Sequence, residues 1–231
     1  MEGLKKRFFV FLYGVYAGIA VAIGGILFLL TKALVPENSW IPSIIVGALL
    51  FPVGLISISY LGFNLYTGKI GVAFRNKNID KKGLNVFEWL MWILLGNAVG
   101  AFIMGLIIYA MTFINRDSAL SIAVIQTGDA RVMPFTVKGF FDMSYKSILC
   151  GMLVYIAIFL FNNLKTTFGK LAGIIVPIAF FVYAGFQHCI ANMFYIAASG
   201  NWNANALVGL LICIIGNSLG AILLDLFVKY E

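Results

Sequence analysis

Charged side chains are scarce in this sequence. Lysine, arginine, aspartate and glutamate make up only 11% of the 231 residues, whereas 62% are hydrophobic. A water-soluble fold of this size needs more polar surface to cover its core, so the composition excludes a soluble globular protein. The chain length has room for about six apolar spans with short connections. We therefore predict an all-α polytopic membrane protein, with residues 1–231 forming a single transmembrane domain.

Side chains that carry catalysis or bind metals are also scarce. Cys150, Cys189 and Cys213 lie far apart in apolar runs, a spacing that fits neither a disulfide framework nor a metal site. There is no phosphate-binding loop, no Ser-His-Asp order and no carboxylate pair. These absences predict that the protein is not an enzyme and uses no metal or cofactor. The net charge of +7 comes from residues that flank the spans, so it predicts topology rather than a nucleic-acid partner.

The apolar runs predict the order of the spans. The first, at about 8–34, follows the basic tail Lys5-Lys6-Arg7 and is too long for a cleavable signal. The others are expected at about 42–60, 85–114, 139–162, 171–198 and 204–228. The longest connection, 115–138, contains a candidate interfacial helix at 118–125. The basic tail is too short to form a long gating helix before the first span.

Polar residues interrupt two spans at membrane depth. The second span runs into Gly62-Phe63-Asn64, and the fifth contains Gly185-Phe186-Gln187. About thirty residues later, each half carries a Gly-Asn-x-x-Gly sequence, which begins at Gly96 and at Gly216. With three spans in each half, the second half inserts upside down. We predict an inverted repeat, about 8–114 and about 139–228, whose second and fifth helices are broken and meet at a midplane site.

His188 is the single histidine of the chain, and it lies inside the broken fifth span. An ionisable residue at this depth indicates function by default, and histidine changes charge within the physiological pH range. It could attract an anion, donate a hydrogen bond or a proton, and let a neutral acid cross. Thr67, on the other broken helix, is expected to hydrogen-bond the ring or the solute, or else its own backbone.

Other residues near the breaks fit two interpretations. Asn97 and Asn217 either line a pore or bridge helices through amide hydrogen bonds. Five apolar residues form either a narrow slit or ordinary packing: Phe51, Leu55, Leu65, Tyr66 and Phe181.

Basic residues predict the orientation of the spans. An even number of spans puts both termini on one side, and most lysines and arginines lie on that side: Lys5, Lys6, Arg7, Arg75, Lys77, Lys81, Lys82, Lys165, Lys170 and Lys229. The opposite side holds only Lys32, Arg116, Arg131 and Lys138. Both termini are therefore expected to be cytoplasmic.

The sequence from Gly185 to Met193, Gly-Phe-Gln-His-Cys-Ile-Ala-Asn-Met, resembles a motif of the formate/nitrite transporter family, Gly-(Phe/Tyr)-Glu-His-Ser-Ile-Ala-Asn-Met. Leu65-Tyr66-Thr67-Gly68 is similar to its Leu-Phe-Thr-Gly loop, and the resemblance covers essentially the whole chain. It implies an aquaporin-like six-helix protomer in a homopentamer, with one pore in each protomer.

The same resemblance implies residue roles. His188 would be the central histidine, Thr67 its loop partner and Asn217 the polar residue of the sixth span. The five slit candidates would form two apolar constrictions.

Several positions depart from the family pattern. The acid before the histidine is replaced by Gln187, and the matching first-half residue is Asn64, so both breaks carry amides. Tyr66 replaces the usual phenylalanine, and Gly151 stands where many members have asparagine. The family lysine before the fourth span has no clear counterpart. Arg131 or Lys138 could replace it, and Lys146 has no assigned role.

Taken together, these features predict a channel or proton-coupled carrier for small monovalent anions (formate, nitrite or hydrosulfide) in the inner or plasma membrane. Its partners would be the bilayer and copies of itself. The amide substitutions leave open a neutral-solute pore for water, ammonia or hydrogen sulfide. A membrane enzyme that uses His188 and a non-transporting scaffold are lesser alternatives.

Overall fold

The structure, a computed structural model, describes residues 2–36, 38–74 and 81–228, with the side chain of Glu2 left out. Within these ranges the chain forms ten α-helices and no strand. They are α1 (Glu2–Leu34), α2 (Ser43–Leu50), α3 (Val53–Leu61), α4 (Tyr66–Lys69), α5 (Val86–Ile114), α6 (Ala119–Asp129), α7 (Val137–Asn163), α8 (Thr167–Tyr183), α9 (Cys189–Ser199) and α10 (Ala204–Asp225). Of the residues used to predict orientation, Arg75, Lys77 and Lys229 lie outside the described ranges.

Five helical segments are long and apolar enough to cross a membrane: Gly3–Leu34, Ser43–Leu61, Val86–Ile114, Val137–Asn163 and Ala204–Asp225. They match the predicted first, second, third, fourth and sixth spans. The predicted fifth span is divided between α8 and α9, which are shorter apolar helices. The predicted interfacial helix is α6, which extends four residues further, to Asp129.

The first helix begins at Glu2 rather than near residue 8. Lysine and arginine are good helix formers, so the basic tail continues the helix beyond its apolar part. Arg7 also forms an ion pair with Glu88 at 2.5 Å, which ties this end of α1 to α5.

Two pairs of helices pack at very short range, α1 against α5 and α7 against α10. On α5, a Cβ atom at Gly100 would collide with the carbonyl oxygen of Val15. On α10, a Cβ atom at Gly220 would collide with the carbonyl oxygen of Ile148. Small residues let membrane helices approach until their backbones touch. The two contacts fix the scaffold around the broken helices.

Both breaks have the same backbone form. Helix α3 ends at Gly62 with φ +73°, and α8 is followed by Gly185 with φ +68°. Glycine adopts this left-handed conformation without steric cost, so it ends a helix sharply. Extended residues, Leu65 and His188, then precede α4 and α9. Each break thus brings a new helix start into the protein interior.

Candidate functional site

Asn97 on α5 holds the first break. Its Oδ1 accepts a hydrogen bond from the backbone N–H of Tyr66 at 2.8 Å. Its Nδ2 donates to the carbonyl oxygens of Asn64 at 2.8 Å and of Gly14 at 2.9 Å. The side chain is fully buried, and it satisfies the N–H of Tyr66 and the carbonyl of Asn64, which lie in the break and have no partner within a helix. Asn97 therefore bridges helices, one of the two interpretations that the sequence allowed.

Asn217 on α10 makes a matching set of bonds at the second break. Its Oδ1 accepts from the backbone N–H of Cys189 at 2.9 Å. Its Nδ2 donates to the carbonyl oxygens of Gln187 and Ser147, both at 2.8 Å. This match pairs the first break with the second and supports the predicted inverted repeat.

These bonds also explain Gly151, which departs from the family pattern. A Cβ atom at Gly151 would collide with the backbone carbonyl of Asn217, so any larger residue would separate α7 from α10. The backbone of Asn64 is held by Asn97, and its side chain is not brought to His188.

The His188 ring lies where the two broken helices meet. Its Nδ1 accepts a hydrogen bond from the backbone N–H of Ala191 at 3.2 Å, so it caps the N-terminus of α9. Its Nε2 lies 2.9 Å from Oγ1 of Thr67. Since Nδ1 accepts, the hydrogen of the neutral ring is on Nε2 and is donated to Thr67. The expected hydrogen bond between Thr67 and the histidine ring is therefore present.

Two small cavities adjoin the His188 ring. The Arg131 cavity, of about 10 Å³, is lined by Phe28, Phe51, Arg131, Phe181, Val182, Phe186, His188, Ala191, Asn192 and Tyr195. The central cavity, of about 20 Å³, is lined by Val21, Phe51, Gly54, Leu55, Leu65, Val154, Ile178, Phe181 and His188. Each has room for about one water molecule.

Four of the five slit candidates line these cavities. Phe51 and Phe181 border both cavities, with their rings 5.7 Å apart and nearly perpendicular. Leu55 and Leu65 border the central cavity. Tyr66 borders neither, since its hydroxyl lies 2.9 Å from Oγ of Ser218 on α10. The extra hydroxyl of Tyr66 thus serves a helix contact.

Arg131 is the cation that the fold brings next to His188. Its Nη1 donates to Oε1 of Gln187 at 3.3 Å and to the carbonyl oxygen of Phe186 at 3.4 Å. Its Nε is buried and has no hydrogen-bond partner among residues 2–36, 38–74 and 81–228. Burial lowers the pKa of this guanidinium from its ordinary value, yet arginine keeps its charge at neutral pH.

No carboxylate in the described ranges pairs with Arg131, so its positive charge faces the Arg131 cavity uncompensated. Lys138 is exposed at the start of α7, away from this cavity. Lys146 forms an ion pair with Asp142 at 2.7 Å, one helical turn earlier.

Sequence reasoning missed three contributors to the site. Asn192 donates from Nδ2 to Oε1 of Gln187 at 2.8 Å and so fixes the amide that faces Arg131. Tyr195 lies under the guanidinium, whose carbon is 5.5 Å from the ring centroid. Phe28 completes the apolar wall. Asn192 belongs to the histidine motif, so the sequence could have indicated its role. Nothing in the sequence indicated that Tyr195 or Phe28 contributes to the site.

Comparisons with known proteins cover almost the whole chain. The family model described as "Formate/nitrite transporter" matches residues 5–230. The formate channel FocA of Haemophilus influenzae is 27% identical over 194 residues, which is 83% of this chain and 66% of the relative. The uncharacterized transporter YrhG of Bacillus subtilis is 30% identical over 220 residues, which is 90% of this chain and 78% of the relative.

Solved structures share the fold. A pentameric formate channel with formate bound superposes with a TM-score of 0.76 at 22% identity, covering 95% of this chain and 94% of that one. A formate/nitrite transporter family ion channel gives 0.70 at 21% identity, covering 96% and 87%. The chain spans about two thirds of the length of the formate channels that it matches, 66% and 67% in two cases.

Proposed function

The chain belongs to the formate/nitrite transporter family, and we propose that it is a channel or proton-coupled carrier for small monovalent anions of the formate, nitrite and hydrosulfide class. One observation carries this proposal. Arg131, a half-buried arginine whose Nε atom is buried and which has no carboxylate partner within the described ranges, lines the cavity beside the central histidine. Burying an unpaired charge is expensive, so the charge is expected to serve a ligand of the opposite sign.

The proposed path runs from the Arg131 cavity to the central cavity. Arg131 attracts the anion, and the Phe51–Phe181 pair then excludes water around it. His188 and Thr67 offer hydrogen bonds between the two apolar constrictions. The far constriction is formed by Leu55 and Leu65. Because each cavity holds about one water molecule, a solute passes singly and largely dehydrated, which favours small ions.

Proton coupling is proposed to involve the His188 ring. An anion close to the ring stabilises its protonated form, and the proton neutralises the anion for the apolar step. In this structure Nδ1 is occupied by the Ala191 N–H, so protonation requires that this cap be released. Loss of an N-cap costs about 1 kcal/mol, so the cap opposes protonation of the His188 ring only modestly.

The neutral-solute alternative rests on the amides at the breaks. Gln187 counts against it here, because an amide accepts a hydrogen bond from Arg131 without cancelling its charge. An uncharged solute gains little from such a cation, whereas an anion gains directly.

The arrangement of the spans, the oligomeric state and the orientation in the membrane are proposed together with the function. We expect α8 and α9 together to form the fifth of six spans, within an inverted repeat of three spans plus three. We also expect a homopentamer, like the solved pentameric formate channel, and we propose one pore in each protomer. The protein is a multi-pass membrane protein, and we propose that both termini are cytoplasmic in the inner or plasma membrane. No enzymatic step is proposed for His188.

Stopped-flow flux into proteoliposomes tests the proposal. Formate, nitrite and hydrosulfide are offered in turn to the parent, to Arg131→Gln and to Lys138→Gln, with water permeability followed in parallel by light scattering. We expect at least one anion to enter the parent vesicles, and Arg131→Gln to reduce that flux about tenfold. Lys138→Gln removes the same charge at an exposed position and should leave flux unchanged. Water or ammonia flux without anion flux would establish the neutral-solute pore instead.

A further inference from the structure

A third cavity lies at the other end of the proposed path. This Lys69 cavity has a volume of about 80 Å³ and is lined by Ile58, Ser59, Gly62, Phe63, Leu65, Gly68, Lys69, Ile158, Phe161 and Asn162. Leu65 borders both this cavity and the central one. Asn162, near the end of α7, is exposed, so the cavity opens toward the helix ends. It is several times larger than the two cavities next to His188.

The inverted repeat relates the Lys69 cavity to the Arg131 cavity. The asparagine bonds pair Asn64 with Gln187 and Tyr66 with Cys189, so Leu65 matches His188. The same register along the chain matches four more pairs, Ile58 with Phe181, Phe63 with Phe186, Gly68 with Ala191 and Lys69 with Asn192. The first member of each pair lines the Lys69 cavity and the second lines the Arg131 cavity. The two cavities are thus equivalent mouths of one path.

Two polar side chains of the Lys69 cavity, those of Lys69 and Ser59, have no partner among the residues that the structure describes. Lys69 is half-buried and makes no hydrogen bond or ion pair with any other residue in the described ranges. The hydroxyl of Ser59 is buried and has no hydrogen-bond partner in the described part of the chain. A buried hydroxyl without a partner destabilises the protein, and so does a half-buried ammonium without a counter-ion. An oxygen-bearing anion would satisfy both, because ammonium and hydroxyl groups each donate hydrogen bonds.

A second cation, Lys170, lies next to one of the residues that line this cavity. The Nζ atom of Lys170 lies 5.1 Å from the ring centroid of Phe161, one of the lining residues. Together the two lysines make this mouth attractive to anions before they reach the leucine constriction.

We propose that Lys69 and Ser59 form an anion-binding site at the mouth opposite Arg131, so that the pore carries a cation at each end. This inference rests on the proposed function and identifies its second binding site. An anion that passes the leucine constriction then reaches the Lys69 cavity, where it is bound again. In both directions, therefore, the anion leaves the apolar part of the path next to a cation. The site takes the oxygen-bearing anions of the proposed class, formate and nitrite.

Charge restoration at position 69 tests the site. Purified Lys69→Cys is modified before reconstitution with an aminoethyl thiosulfonate, which restores an ammonium, or with a methyl thiosulfonate, which does not. The native cysteines are fully buried, so the parent should be indifferent to both reagents. Formate influx is then measured over a range of concentrations, together with that of Lys69→Met, Lys69→Arg and Lys165→Met. Lys165 is an exposed lysine between α7 and α8 that does not line the cavity.

We expect Lys69→Met and unmodified Lys69→Cys to conduct about five- to tenfold less formate at low concentration, with a smaller loss near saturation. Aminoethyl modification should restore most of the flux, methyl modification none, and Lys69→Arg and Lys165→Met should resemble the parent. A structural role for Lys69 would not respond to charge in this way.

The two proposals fail separately. A parent that passes no anion refutes the proposed function itself. A parent that conducts formate, with Lys69→Met equal to Lys165→Met, overturns the site at Lys69 alone. So does a Lys69→Cys protein whose flux is indifferent to the charge of the reagent.

Discussion

The Nη1 atom of Arg131 lies 3.3 Å from the Oε1 atom of Gln187, so a guanidinium is held by an amide at the mouth beside His188. The amide is fixed from behind by Asn192, whose Nδ2 donates to the same oxygen at 2.8 Å. Asn192 thus holds the amide, and the amide holds Arg131, while the positive charge of the guanidinium stays uncompensated. A carboxylate in the same place would form an ion pair.

The substitution Gln187→Glu should therefore lower anion flux at pH 7, by about tenfold, because the new carboxylate cancels the charge that attracts the anion. Formate influx into proteoliposomes measures the effect. Gln126→Glu makes the same chemical change at an exposed position of α6 and should leave flux unchanged. Equal flux in the two variants would show that the uncompensated charge of Arg131 does not drive entry.

His188 can be separated into its capping and its titrating roles. Asparagine is a strong N-cap residue, so His188→Asn should keep an acceptor for the Ala191 N–H while removing the titratable ring. The parent is expected to take up formate faster at pH 5 than at pH 8, and His188→Asn should lose this dependence. His188→Ala should also lose about 1 kcal/mol of stability. An asparagine variant with the parental pH profile would assign His188 to the cap alone.

Phe181 and its neighbour Phe180 offer a matched pair for the constriction. Phe181 is 4% exposed and borders both cavities beside His188, whereas Phe180 is 54% exposed. Phe181→Ala removes a ring that lines both cavities and contacts Phe51, and should raise the permeability to acetate or lactate relative to formate. Phe180→Ala should keep the parental ratio, measured as relative influx rates. If both variants keep the parental ratio, the Phe51–Phe181 pair does not set the size limit.

The glycines at the α1–α5 and α7–α10 contacts should be sensitive to a single methyl group. Gly220→Ala places a Cβ against the backbone of Ile148 on α7, and Gly100→Ala does the same against Val15 on α1. Each is expected to lower stability by about 1–3 kcal/mol, read as a lower thermal unfolding midpoint in detergent.

Gly3→Ala is the control for these substitutions. No atom lies within 4 Å of its Cβ position near the start of α1, so this variant should unfold at or slightly above the parental temperature. Parental midpoints for Gly220→Ala and Gly100→Ala would mean that the helices tolerate a wider spacing.

The sequence was sufficient for features that repeat along the chain. The apolar runs gave the span positions, and the glycines at 62 and 185 marked both breaks because a positive φ selects glycine. The contact between Thr67 and the His188 ring could be predicted because both follow a break in corresponding halves.

Other features depend on distances between helices, which spacing along one chain does not give. Arg131 could not be chosen over Lys138 because both stand in the predicted connection 115–138, whose path is fixed by packing of α6 against α1 and α9. Tyr66 shows the same limit. Its backbone N–H lies at the break as expected, but its ring turns to Ser218 on α10. The partnerless hydroxyl of Ser59 can be recognised only when all neighbours are placed.

Leu65 and His188 occupy the same place in the two breaks, each as the extended residue that begins the inner half-helix. The backbone is therefore similar in the two halves of the protein, whereas the side chains along the proposed path differ between them. At these two equivalent positions the second break has an imidazole and the first has a hydrocarbon side chain. The difference between the two ends of the proposed path therefore comes from side chains alone, because the two backbones have the same form. Exchanging very few residues in evolution could reverse this difference or place the same chemistry at both ends.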